Sequence, residues 1–174
     1  SPDGQKIAFF AYDSGTGVTA VYVMDADGSN VTQLTGAATG EHADYPRWSP
    51  DGSQIAYSGW QGEGYTDIWV MDADGSNAVD LTNASTTDYE PNWSPDGTQI
   101  VFSDQGFSVG ISVVDVATLS VQALPGTAGA TNPAWSTFVP VDPATRALTL
   151  DGIDDYVDMG DPVALQLATS FSVE

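Results

Sequence analysis

Short apolar runs separated by turn-forming residues recur along the first three quarters of the chain. The runs have strand length and are rich in β-branched and aromatic residues, as in IAFFAY from Ile7, IAYSGW from Ile55 and IVFSD from Ile100. After a loop, each is followed by a second apolar run, AVYVMD, DIWVMD or ISVVD. Helix signals are weak throughout, and ten prolines with 18 glycines agree with that. The pattern predicts an all-β protein.

The runs belong to an internal repeat of about 45 residues. The sequence SPDG begins at Ser1, Ser49 and Ser94, and MDADGSN begins at Met24 and Met71. A Pro-x-Trp triplet recurs as PRW, PNW and PAW. Within each period the order is Pro-x-Trp-Ser, an SPDG turn, two apolar runs joined by a loop, an Asp-rich turn and Leu-Thr. This order predicts four short strands per repeat.

The turn sequences support strands joined by tight connections. In SPDG, serine, proline and glycine suit the first, second and fourth positions of a type I turn. In DADGSN, Gly28 and its counterpart Gly75 supply the left-handed conformation of a hairpin with a bulge. The same aspartates miss the calcium-binding EF-hand template, because Val23 and Leu34 stand where its first and twelfth ligands belong. Hairpin turns are therefore favoured over a weak ion site.

Four-stranded repeats of this length are the units of a β-propeller, in which neighbouring blades cover each other's faces. The repeats resemble the WD-like β-propeller repeats of the TolB family, which run through Pro-x-Trp-Ser-Pro-Asp-Gly, Ile-Ala-Phe, Tyr-Val-Met-Asp and Leu-Thr. The resemblance covers residues 1–136 and implies a partial propeller of about three blades that starts after the first strand of one blade. Trp48, Trp93 and Trp135 share one repeat position and are expected to pack between blades.

The sequence changes character after the propeller repeats. Residues 137–146 contain two prolines and are predicted to form a linker. Residues 147–174 resemble the start of a laminin G-like, concanavalin A-like jelly-roll domain, which implies the first strands of a β-sandwich. Asp151, Asp154 and Asp155 offer hard oxygen ligands there, so calcium is a candidate cofactor.

Charge narrows the classes of partner. Three basic residues face 24 acidic ones, and the formal net charge is −21. Nucleic acid and anionic membrane surfaces are therefore not expected as partners. Membrane insertion is not expected either, because no apolar run approaches the roughly 20 residues of a membrane helix. Such an acidic chain suits a cation-rich medium, and together with the TolB-family resemblance this implies an extracellular, cell-surface or periplasmic protein of a bacterial-type envelope. The absence of cysteine excludes disulfides and thiolate metal sites.

One motif suggests catalysis. GFSVG, from Gly106 to Gly110, fits the G-x-S-x-G nucleophile elbow, with Ser108 as the nucleophile. That elbow needs a strand, a turn and a helix, with an acid and a histidine later in the chain. Here two strand-like runs flank the motif, and the only histidine lies upstream. A hairpin loop is the favoured interpretation.

Four residues of the second repeat are candidate binding residues. His42 and Asp44 lie at the mouth of the presumed inner strand, where the central channel of a propeller collects ligands. Trp60 and Tyr65 belong to a Gly-rich loop present in one repeat only, and exposed aromatic residues on a rigid scaffold suit a contact surface. For the histidine the alternative is a solvated loop residue, and for the aromatic pair it is structural packing.

Three classes of function remain open from the sequence. The first is a non-catalytic binding module, in which the propeller binds protein or polysaccharide and the jelly roll binds carbohydrate. The second is the non-catalytic part of a larger secreted hydrolase, either a prolyl-oligopeptidase-like peptidase or a glycoside hydrolase, whose catalytic domain lies outside this segment. The third is a structural scaffold. No catalytic residue is assigned within the segment.

Overall fold

Antiparallel β-sheets form the described part of the protein. In a computed structural model, residues 1–36, 41–60, 64–83, 85–106 and 109–135 are described, and they contain eleven strands in three sheets and no helix. No helix in this part of the chain is long and apolar enough to cross a membrane. The prediction of an all-β repeat protein is confirmed.

Each sheet corresponds to one sequence repeat and is called a blade. The first blade contains β1 (Lys6–Asp13), β2 (Val18–Asp25) and β3 (Thr32–Gln33). The second contains β4 (His42–Trp48), β5 (Gln54–Trp60), β6 (Asp67–Asp72) and β7 (Val79–Asp80). The third contains β8 (Asp88–Trp93), β9 (Gln99–Asp104), β10 (Gly110–Asp115) and β11 (Val121–Ala123). Every strand pairs with its sequence neighbour within the blade, as the four-strand repeat predicts.

Two turn types close the hairpins as the sequence predicts. In each SPDG turn the glycine N–H donates to the serine carbonyl, as from Gly52 to Ser49 at 2.9 Å. In the first DADGSN turn Gly28 has a φ of 87°, which a residue with a side chain rarely adopts. Asp25 accepts hydrogen bonds from Lys6 and Asn30, so its carboxylate is used within the turn.

The hydrophobic core lies between adjacent blades. One cluster joins the first and second blades, and the other joins the second and third. The first comprises Val21, Val23, Ala43, Ile55, Tyr57 and Met71. The second comprises Ala56, Ile68, Val70, Leu81, Trp93, Ile100, Phe102 and Val114. Each blade therefore depends on its neighbour for burial, as in a propeller.

The repeated tryptophans do not all behave alike. Trp93 is 6% exposed, and its Nε1–H donates to the carbonyl of Arg47 in the preceding blade at 3.1 Å. Trp48 packs against the first cluster. Trp135 is 38% exposed, so the packing expected for all three is wrong there. Residues directly after Trp135 lie outside the described part.

A β-bulge interrupts each inner strand at the residue before proline. The register shifts between Asp44 and Arg47 in β4, and between Tyr89 and Asn92 in β8. Tyr45, Glu90 and Asn132 share this repeat position, with φ values of 51°, 60° and 55°. Left-handed backbone at non-glycine residues is unfavourable, so surrounding contacts must hold it.

Serines of the preceding blade provide part of that support. The N–H of Glu90 donates to Ser58 Oγ at 3.2 Å, and the N–H of Asn132 donates to Ser103 Oγ at 2.8 Å. The two serines occupy the same repeat position, on β5 and β9. The bulge thus links β8 to the second blade, and the segment at Asn132 to the third.

The GFSVG motif spans the connection between antiparallel β9 and β10, which is a hairpin and not a strand-to-helix elbow. Ser108 itself lies outside the described residues. A Cβ on Gly106 would lie 2.8 Å from Thr86 Cγ2, so close packing explains that glycine. The linker at 137–146, the jelly-roll start at 147–174 and Asp151, Asp154 and Asp155 also lie outside the described residues.

Candidate functional site

A cavity of about 470 Å³ is lined by residues of all three blades. The second blade contributes all four predicted binding residues, His42, Asp44, Trp60 and Tyr65. The other lining residues are Thr19 of the first blade, Ser58, Gly64 and Thr66 of the second, and Thr87 and Tyr89 of the third. The predicted residues therefore meet in one place.

His42 is held between two blades. Its Nδ1 accepts a hydrogen bond from the backbone N–H of Thr19 at 3.3 Å. Its ring centroid lies 5.5 Å from that of Trp60, because the two residues are paired across β4 and β5. His42 thus contacts defined partners and is not a solvated loop residue.

Asp44 is the charged group of the cavity wall. Its Oδ1 is buried and has no hydrogen-bond partner among the described residues. Burial raises the pKa of Asp44 to about 6, and attraction to the charge of a protonated His42 lowers it in part. The carboxyl group is largely ionised at neutral pH, although part of its hydration has been removed.

Aromatic side chains form much of the remaining wall. Tyr65 is 50% exposed, and it lines the cavity together with Trp60 and Tyr89. Tyr89 also meets Tyr45 edge to face, with ring centroids 6.4 Å apart. Rings beside a carboxylate form a surface suited to a ligand with both apolar and charged parts.

Sequence inspection missed the lining residues that come from neighbouring blades. Thr19 and Tyr89 lie 23 and 47 residues from His42 in the chain, and no motif marks them. Ser58 carried a usable signal, since it matches Ser103 in the repeat and supports the bulge. Packing between blades, which the spacing of motifs does not encode, brings these residues together.

A second buried carboxyl group lies near the cavity. Asp88 is 2% exposed, its N–H donates to the carbonyl of Thr66 at 2.7 Å, and its Oδ1 has no partner among the described residues. Burial raises the pKa of Asp88 to about 7. A hydrogen bond with Thr82 lowers that pKa, and the charges of nearby aspartates raise it further.

This acidic neighbourhood is confined to one blade interface. Between the second and third blades, the repeat positions carry Asp67, Asp80, Asp88 and Asp104. Between the first and second blades, the same positions carry Ala20, Gln33, Ala43 and Gly59. Within the described ranges, no group of three or more histidine or carboxylate side chains is arranged to hold a metal ion.

A family model described as the TolB beta propeller domain matches residues 1–139. The chain belongs to this TolB beta-propeller family. The match agrees with the blade structure and with the repeat signatures from which the sequence resemblance was drawn. No curated protein matches the chain.

Solved structures with the same fold include TolB proteins and enzymes. A TolB from Agrobacterium tumefaciens is 27% identical with a TM-score of 0.64, and the match covers 77% of this chain and 50% of that one. TolB from Acinetobacter baumannii is 24% identical with a TM-score of 0.62, covering 77% and 32%. A puromycin-hydrolyzing peptidase from Mycobacterium tuberculosis is 19% identical with a TM-score of 0.62, covering 78% and 22%.

This TolB-family chain thus spans at most half the length of these three structures. The likeness to the peptidase is a likeness of fold alone at 19% identity.

Proposed function

We propose that this TolB-family propeller is a non-catalytic binding module and that its cavity receives part of a protein partner. The observation that carries the proposal is the convergence of His42, Asp44, Trp60 and Tyr65 on one cavity. Rigid strands hold the first three of them, and a half-exposed tyrosine lies beside them on a loop. A preformed pocket with aromatic anchors is the usual centre of a recognition surface.

The chemistry of the cavity favours recognition over hydrolysis. Nδ1 of His42 lies 3.3 Å from the Thr19 hydroxyl as well as from its backbone N–H. In a serine triad Nδ1 of the histidine instead donates to a carboxylate, while Nε2 accepts the serine proton. We therefore propose that any hydrolytic activity of a longer protein, whether peptidase or glycoside hydrolase, belongs to a domain outside this segment.

The proposal extends to the setting of the protein. The net charge of −21 and membership of the TolB family support a role in the periplasm or at the cell surface. Polysaccharide is the second candidate ligand of the propeller, because exposed aromatic rings such as Tyr65 also stack on sugars. Carbohydrate binding by residues 147–174 and calcium binding at Asp151, Asp154 and Asp155 remain predictions from the sequence.

Selection of displayed random peptides on the immobilised chain tests the protein-binding proposal. An enriched peptide is then synthesised and titrated calorimetrically against the wild type, Trp60→Ala and Trp135→Ala. We expect Trp60→Ala to weaken binding by about tenfold or more, as loss of an aromatic anchor does. Trp135→Ala is the matched control, because this tryptophan is exposed but does not line the cavity.

Two results would contradict this assignment. Equal affinity of the peptide for wild type and Trp60→Ala would place binding elsewhere on the surface. Failure of selection, together with binding of a soluble glycan that Trp60→Ala abolishes, would replace the protein partner with a polysaccharide.

A further inference from the structure

The cavity combines one carboxylate with several aromatic rings, and no described lysine or arginine lines it. Among the described residues, the one ion pair joins Lys6 to Asp25 in an exposed turn at 2.9 Å. Arg47, in the same strand as Asp44, donates to the carbonyl of Pro46 at 3.2 Å. No lysine or arginine among the described residues is thus paired with Asp44.

We propose that the cavity binds a cationic side chain, a lysine or an arginine presented by a protein partner, with Asp44 as its counter-ion. This inference rests on the proposed function and specifies its ligand. Trp60, Tyr65 and Tyr89 supply the faces on which an ammonium or guanidinium group, and its aliphatic stem, can pack.

The position of Asp44 favours such a ligand energetically. A buried carboxylate oxygen without a hydrogen-bond donor has lost hydration and gained nothing in return. A cation that donates to it restores the lost interaction in a low-dielectric setting, where charge-assisted hydrogen bonds are strong. An uncharged ligand can replace only part of that hydration.

The neighbouring groups do not compete for the same role. Nδ1 of His42 is occupied by the N–H of Thr19, and Oδ1 of Asp44 receives no hydrogen bond from His42 or from any other described residue. The other polar lining groups named above are hydroxyls, from Thr19, Ser58, Thr66 and Thr87. The net charge of −21 attracts cations to the whole surface, and the cavity selects among them.

His42 also provides the probe for the test, since it is the only histidine in the 174 residues. Its ring-proton signal in the NMR spectrum of the full chain reports on this cavity alone. The chain is titrated with N-acetyl-lysine-N-methylamide and its arginine counterpart. The norleucine counterpart matches the lysine stem without the charge, and the glutamate counterpart reverses the charge.

We expect both cationic probes to shift the His42 signal saturably and to bind about tenfold more tightly than the norleucine probe. Asp44→Asn should remove that preference. The control Asp74→Asn removes the same charge from an exposed turn outside the cavity, and it should retain the preference for cationic probes. Raising the salt concentration from about 50 to 500 mM should weaken the cationic probes and not norleucine, a comparison that needs only the wild type.

The inference is overturned if norleucine binds as tightly as lysine, if Asp44→Asn leaves the lysine affinity unchanged, or if no probe shifts the His42 signal. Its failure is separable from that of the proposed function. If a selected peptide lacks lysine and arginine but its binding depends on Trp60, the proposed binding function stands and the proposed cationic ligand is refuted. If the cationic probes shift the His42 signal but no peptide or protein binds, the proposal of a protein partner is refuted.

Discussion

Replacing Asp88 by asparagine should make the folded protein more stable at about pH 8, by an amount that shrinks as the pH falls. The reason is that a carboxylate at this position is 2% exposed and surrounded by other acids, so its charge opposes folding. Asparagine has nearly the same shape and no charge. The two proteins therefore differ in one titratable group at an otherwise unchanged blade interface.

The size of the effect follows from the pKa of Asp88 in the folded and unfolded states. Burial raises it from 3.8 to about 7 in the folded protein. Between these values the folded state holds a proton that the unfolded state has released, so stability falls as the pH rises toward 7. Between the two pKa values, each pH unit changes the free energy of unfolding by about 1.4 kcal/mol. The two units from pH 5 to pH 7 therefore lower it by roughly 3 kcal/mol.

The asparagine amide also has a cost. If its NH2 group takes the place of Oδ1, this hydrogen-bond donor has no described acceptor. The unpaired donor lowers the free energy of unfolding by about 1–3 kcal/mol at every pH. This pH-independent loss cancels in the comparison of two pH values. The advantage of Asp88→Asn over wild type should therefore grow by roughly 3 kcal/mol between pH 5 and pH 8.

Urea denaturation followed by far-ultraviolet circular dichroism measures the difference. About pH 5 is a suitable lower limit, because the isoelectric point is near 4.1. Asp74→Asn serves as the control: hydrogen bonds from Ser76 lower the pKa of Asp74, so it stays ionised in both states across this range and its effect should not vary. An Asp88→Asn effect that is equal at both pH values, or smaller at pH 8, would refute the reasoning.

Two further predictions concern packing. Gly59→Ala should lower the free energy of unfolding by about 1–3 kcal/mol, because its Cβ would lie 2.7 Å from Trp69 Cδ1; an unchanged melting temperature would contradict this. Trp93→Phe should cost about 1 kcal/mol more than Trp48→Phe in urea denaturation, since the Trp93 indole donates to Arg47 whereas no described group accepts from Trp48 Nε1. Equal costs would show that this hydrogen bond contributes nothing.

The blade scaffold was predictable because its determinants are local and occur repeatedly. The SPDG and DADGSN turns fix where strands end, and apolar runs of strand length, such as the one in β2, mark the strands that are buried between blades. Three copies of one pattern reduce the chance that any signal is accidental. The bulge escaped prediction, since Tyr45 and Glu90 are not residue types that favour left-handed backbone.

The site was predictable in part. His42 and Asp44 stood out by their place at the mouth of an inner strand, and Trp60 and Tyr65 by a loop that one repeat alone carries. The structure places all four around one cavity. The contributions of Thr19 and Tyr89 depend on how adjacent blades pack. The absence of a described partner for Asp44 is likewise a three-dimensional property that a residue pattern does not contain.

Departures from the repeat also explain why charge gathers where it does. Ser58 and Ser103 keep one residue type at a repeat position where each supports the bulge of the following blade. Other positions vary between repeats, and carboxylates occupy four of them at the second blade interface where the first has none. Asp88 lies in this group, and its N–H contacts the carbonyl of Thr66, which lines the cavity. Replacing these four aspartates by asparagine, which has nearly the same shape, would therefore alter the field at the cavity with little change in the volume packed between the blades.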